Sequence, residues 1–175
     1  LPSGGKALEK RYTVFRYIAY SLEILILYVL QGTYFVPEIL GGRPVLLIPV
    51  AITIALFENE ITAMFFGLSC GALLDIGTGG TIGFYTITLT LCAFVIGSIF
   101  RDYMVVNFLN AMAFCSAFIA GLITIYFLFF YVFAGWGDAG YYFVNHYISR
   151  IIYTIILSPL FYFLNKFLFK GLRDV

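Results

Sequence analysis

Charge is what this chain of 175 residues has least of: 11% of it is Asp, Glu, Lys or Arg, while 62% is hydrophobic and the mean hydropathy is +1.00. A soluble domain of this length could not bury so much apolar surface, so the composition reads as an integral membrane protein. The net charge of +1 supplies no basic face of the kind nucleic acid demands, and no nucleic-acid partner is expected. Histidine occurs once, as His146. The three cysteines, Cys70, Cys92 and Cys115, form no CxxC pair and all fall in apolar runs, which excludes a disulfide framework and a zinc site and makes them small packing residues. Parts for membrane enzymology are missing too. No serine with a histidine base, no pair of membrane aspartates and no GxxxxGK is assembled, so the expectation is a protein with no catalytic residues, cofactor or metal.

What is present is a series of apolar runs at 14–36, 45–57, 61–74, 84–100, 108–133 and 144–169. They predict an all-α, polytopic membrane bundle of six transmembrane helices. Most are long enough for the ~30 Å hydrocarbon layer, but the second and third are short, about 20 Å at the helical rise. These two flank the polar tip Glu58–Asn59–Glu60. Either both span with their ends extended through polar residues, or they form a re-entrant hairpin buried in protein. Residues 1–13 read as a polar cytoplasmic N-terminus whose first five, LPSGG, have the look of an expression remnant; 14–169 as the membrane domain; and 170–175 as a basic cytoplasmic tail. Eight of the ten basic residues lie in the N-terminus, the loop at Arg101 and the C-terminal end, leaving Arg43 and Arg150 for the other side. By the positive-inside rule both termini are cytoplasmic, and Trp136, Tyr141 and Tyr142 suit an outer interfacial belt.

One stretch organises the rest. Ala63, Gly67, Gly71 and Asp75 are spaced four apart and stack along one side of a helix, a row of small residues that lets another backbone approach and that ends in a carboxylate. Glycines at 77, 79, 80 and 83 then supply a tight turn. Asp75, facing the unfavourable end of its helix dipole, needs donors from that turn, from the start of the next helix or from Arg43; a cation or ligand amine is the alternative reading. Glu23 joins Arg16 and Gln31 in a sector of roughly 80° on the first helix. That stripe reads either as internally satisfied, with Glu23 held by a neighbouring Tyr or Ser hydroxyl and Arg16 snorkelling, or as a contact face or ion path. Pro159 inside the last span should kink it and leave the Ile155 carbonyl unpaired in the regular ladder.

The run RPVLLIPVAITIALFENEITAMFFGLSCGALLDIGTGGTIGFYTITL resembles the rod shape-determining protein MreD family: an RP opening, a short apolar helix, a polar hinge, then GLxxGxLLDxxxGxxxG leading into the next span. Arg43, Pro44, Gly67, Gly71, Asp75, Gly79 and Gly83 carry the match. It covers residues 43–100 well and extends more loosely to Pro159 and the basic tail. The resemblance implies a multi-pass protein of the bacterial plasma membrane, without enzymatic activity. It implies work in the cell-elongation machinery, with MreC as a direct partner, MreB as an indirect one, and RodA with its class B penicillin-binding protein as the peptidoglycan synthase served. The family is also distantly similar to the substrate-binding S components of energy-coupling-factor vitamin transporters, six-helix membrane proteins of similar size. That gives the alternative function.

Overall fold

A computed structural model describes residues 3–33, 44–78, 83–102, 107–132 and 143–171. Among them every element is helical: α1 (Ser3–Gly32), α2 (Leu47–Phe57), α3 (Glu60–Thr78), α4 (Phe84–Asp102), α5 (Phe108–Phe127) and α6 (Ile148–Gly171). α5 is prolonged by a π-helical turn over Leu128–Val132, and another over Phe143–Tyr147 leads into α6. Five stretches are long and apolar enough to cross a membrane: Arg11–Gly32, Glu60–Thr78, Phe84–Arg101, Phe108–Tyr131 and Ile148–Lys170. Their outward faces carry large apolar side chains such as Phe15, Ile76, Leu109 and Phe167, all well over half exposed. Surfaces of this kind suit lipid and not water.

α1 begins at Ser3, ahead of its Arg11–Gly32 stretch that is fit to cross a membrane; Ala7 to Arg11 are all good helix formers. α6 runs to Gly171. One boundary differs from expectation. α3 has 19 residues and full crossing length. It does not stop at Leu74, because Asp75 finds its donors on the next helix and need not break out of its own. The expected pair of short helices is therefore one short helix and one long.

The short one, α2, is the centre of the bundle. Its 11 residues rise about 16 Å, well below the hydrocarbon thickness, and every residue from Leu47 to Leu56 is buried. Around it stand α1, α3, α4, α5 and α6. Its start and finish are set by side chains of α1 and α6. At the start, the Leu46 amide donates to Gln31 Oε1 at 3.0 Å and the Val45 amide to Thr154 Oγ1 at 3.2 Å. At the finish, Glu58 meets Arg16, and Phe57 stacks on Phe169 with ring centroids 5.6 Å apart. α2 and its lead-in, which includes Pro44, thus run antiparallel to α1 over the depth between Gln31 and Arg16, about 22 Å.

α3 and α4 form the closest pair. The row Ala63, Gly67 and Gly71 of α3 is buried against α4, and Gly97 of α4 is buried against Glu60 and Ala63 of α3. A Cβ on Gly71 would sit 2.5 Å from both Thr86 Cα and the Tyr85 carbonyl oxygen, and one on Gly67 would sit 2.7 Å from Ala93 Cβ. The small residues therefore pack within the bundle. By contrast, α4 and α5 meet mainly through aromatic rings near their ends, Phe100 on Phe114 at one and Tyr85 on Tyr126 at the other. Between these lies a groove of about 330 Å³ with Gly121 and Cys92 in its lining. Cys70 and Cys115 are buried, as packing residues should be.

α6 continues unbroken through Pro159. Pro159 offers the Ile155 carbonyl no amide in the regular ladder, as expected, and the Ser158 hydroxyl, 2.8 Å away, donates to it instead. A serine one residue before the proline replaces the amide that proline removes.

The backbone contact at Gly71 can be tested against Gly121, where an added Cβ meets nothing within 4 Å. Gly71→Ala should destabilise the detergent-solubilised chain by about 1–3 kcal/mol, as overpacking does, and Gly121→Ala should leave thermal unfolding essentially unchanged. Equal melting temperatures for the two variants would contradict the close α3–α4 approach.

Candidate functional site

Three polar groupings lie inside the helices, two of them joined along α1. The first is the α3–α4 corner. Asp75 is buried, and its carboxylate accepts from the backbone amides of Gly83 (3.1 Å), Tyr85 (3.1 Å) and Thr86 (2.9 Å) and from the Thr86 hydroxyl. These amides belong to the first turn of α4 and its approach, whose donors have no partner inside their own helix. A carboxylate from the preceding helix caps them and lies at the favourable end of the α4 dipole. Gly83, just before α4, takes φ +95, in the left-handed region that favours glycine. The capping reading of Asp75 holds, and four donors occupy its oxygens. Arg43 and Gly79 lie outside the described residues, and so does the expected Arg43–Asp75 contact. Pro44 and Asp75 do share one end of the bundle, since α2 starts beside Gln31 and Gly77 faces Tyr28.

The second grouping is the stripe of α1, which faces inward. Gln31 serves the start of α2 as described. Near the middle of the helix, Glu23 Oε1 accepts from Asn165 Nδ2 at 3.3 Å, and the same amide nitrogen lies 3.0 Å from Thr53 Oγ1 and 3.1 Å from the Phe161 carbonyl. Asn165 and Thr53 are wholly buried, and Glu23 nearly so. Three acceptors thus surround an amide nitrogen that has two hydrogens to donate. Glu23 is thus held internally, but by an asparagine and not by the Tyr or Ser hydroxyl expected.

At its far end the stripe reaches the third grouping, a charged mouth. Arg16 does not snorkel freely: its Nε lies 2.6 Å from Glu58 Oε1, Nη2 donates to Oε2 at 3.1 Å, and its guanidinium stacks over the Phe169 ring at 4.9 Å. Burial pushes the Glu58 carboxyl up from the ordinary range, and the Arg16 charge and its hydrogen bond oppose that rise without cancelling it. Next to this pair, Glu60 in the first turn of α3 bonds Arg101 in the last turn of α4. Between the α2–α3 turn and the ends of α4 and α6 opens a cavity of about 560 Å³, lined by Phe57, Glu58, Phe100, Arg101, Lys166 and Lys170.

Of the residues singled out in the sequence, the structure joins Gly67, Gly71, Asp75 and Gly83 in one corner and places Glu23 and Pro159 in the α1 and α6 walls. Sequence reading missed Asn165, Thr53 and Thr154. A mid-span asparagine in an apolar run is a recognisable signal, but a threonine in a membrane helix more often bonds its own backbone and carries none. His146 is exposed in the turn before α6, and the residues of the Trp136 loop lie outside those described. No group of three or more His, Cys, Asp or Glu that could hold a metal occurs among the described residues. The class defined by this fold and these sites is an all-α bundle with five helices fit to cross a membrane and a short sixth at its core. Comparison of the chain with protein-family models, with curated proteins and with solved structures finds no match.

Two outcomes follow from the buried groups. Asp75→Ala should cost about 1–2 kcal/mol, the usual value of a lost cap, and should do so even where Arg43 is also alanine. Thermal unfolding of the single and double variants measures it; full protection by the Arg43 substitution would assign the carboxylate to Arg43. For the central cluster, Asn165→Leu alone strands Glu23, whereas Glu23→Leu with Asn165→Leu leaves no charge behind. The double variant should unfold at a higher temperature than Asn165→Leu, and additive losses would show that the two side chains are not coupled.

Proposed function

We propose that this chain is a non-enzymatic scaffold of the bacterial cell-elongation machinery, of the MreD type. In this reading it sits in the plasma membrane, where it contacts MreC directly and, through it and MreB, serves peptidoglycan synthesis by RodA and its penicillin-binding protein. The observation that carries the reading is the α3–α4 corner. Gly67, Gly71, Asp75 and Gly83, four of the residues on which the resemblance rests, all belong to one mechanical unit, two backbones in contact and a carboxylate closing the turn. A motif whose members hold helices together fits a protein that presents surfaces to other membrane proteins. The buried polar residues point the same way, because they face one another across α1, α2 and α6.

The proposed topology has six crossings, α2 making the second inside the bundle, with both termini in the cytoplasm. Supporting it, Arg16, Arg101, Lys166 and Lys170 gather at one end, while Arg150 lies with Thr154 near the other. Asn107→Cys should then react only from the cytoplasmic side and Asp138→Cys only from outside, in a background lacking the native cysteines. The reverse pattern, or labelling of both from one side, would exclude this topology.

Function is tested by purification from native membranes of a rod-shaped bacterium. MreC should accompany the folded chain, and Gly71→Leu should lose it together with stability. If the folded chain instead carries a small vitamin and no MreC, the scaffold reading is replaced by that of an S component.

A further inference from the structure

The cavity at the charged mouth is built from two kinds of surface. Phe57, Phe100 and Phe169 line it with rings, and Arg101, Lys166 and Lys170 bring three positive charges to it. The acidic side chains nearby are already engaged, Glu58 by Arg16 and Glu60 by Arg101. Lys166 and Lys170 have no carboxylate within ion-pair distance among the described residues; Lys166 rests its ammonium 5.4 Å above the Tyr162 ring, and Lys170 is exposed. Among the described residues the excess positive charge of the two lysines is therefore not consumed. Its depth is also defined, because Arg101 is the last residue of one membrane-length stretch and Lys170 the last of another. Cations at this position stand where the phosphate groups of a bilayer begin, with apolar rings on the hydrocarbon side of them.

We propose that this cavity is a binding site for the phosphate headgroup of an anionic phospholipid, held by Lys166 and Lys170 with Arg101, while the top of the acyl region packs on the phenylalanine rings. Basic pockets between membrane helices select anionic lipid in this way, since each ammonium adds attraction for the phosphate that a zwitterionic headgroup offsets with its own cation. Arg101 is kept in place by Glu60, so it presents a fixed donor beside two mobile ones. A lipid here would add to the links that already join the α2–α3 turn to the ends of α4 and α6, which run through Arg16–Glu58, Phe57–Phe169 and Glu60–Arg101.

The test uses the full chain in detergent and titrates phosphatidylglycerol, phosphatidylcholine of the same acyl chains, and glycerol phosphate, reading thermal unfolding and lipid retention by native mass spectrometry. Phosphatidylglycerol should stabilise and be retained, phosphatidylcholine much less, and the effect should weaken with salt. Lys166→Gln with Lys170→Gln should weaken the apparent affinity about 25-fold, about fivefold for each lysine, while Lys166→Arg with Lys170→Arg preserves it. Arg11→Gln, at an exposed position on the same end of α1 outside the cavity lining, should change it little. Should the double glutamine variant fail to fold, Lys170→Gln alone supplies the fivefold comparison. Equal affinity for the two lipids, or a loss in Arg11→Gln as large as in the lysine variants, would overturn the site. Equal stabilisation by glycerol phosphate would assign it to a soluble phosphate and overturn the lipid occupant.

Discussion

A helix of 11 residues cannot meet the solvent on both sides of a membrane, and α2 is tolerable only because lipid never reaches it. Most of the bundle follows from that constraint. The amides leading into α2 would be unpaired in a hydrocarbon environment, so α1 contributes Gln31 and α6 contributes Thr154 at that depth. At the other end, Glu58 would be a charge stranded against apolar helices, so Arg16 must face it, and Phe169 covers Arg16. Halfway along, the Thr53 hydroxyl has α6 opposite it, and Asn165 answers both it and Glu23. The polar residues of α1 and α6 are spaced to serve the helix between them.

The α3–α4 pair answers a different need. With lipid tails as apolar as leucine, helices gain nothing from leaving lipid for each other except packing and hydrogen bonds. Glycine at 67, 71 and 97 brings backbone against backbone and so increases the atoms in contact. Asp75 then joins the two helices electrostatically, with its negative charge at the positive end of α4. The serine before Pro159 follows the same rule on a smaller scale, placing a donor where a carbonyl would otherwise face hydrocarbon without one.

Among the described residues these two assemblies leave one end electrically unbalanced. Pairs Arg16–Glu58 and Arg101–Glu60 cancel their charges, and Lys166 and Lys170 remain, without a described carboxylate, around an open, ring-lined cavity. The outward faces of the five long helices, rich in Leu, Ile and Phe, are left to lipid or to partner helices.

The all-helical class, the apolarity and the small-residue row were legible in the sequence because each depends on a local period or on composition. The need of Asp75 for donors was legible too, with the glycine turn, the next helix start and Arg43 all open as sources; the structure supplies Gly83 and the first turn of α4. What could not be read was partnership. Glu23, Arg16 and Gln31 share a face by helical geometry alone, but their partners, Asn165, Glu58 and the Leu46 amide, lie at sequence separations of 142, 42 and 15. No period along the chain encodes such distances. Nor could the chain alone show that the shortest apolar run is the most buried helix, since a run of leucine and isoleucine faces lipid or protein equally well. Only the arrangement of the other five helices decides that, because burial in a membrane is set by neighbours and not by the hydrophobicity of the segment itself.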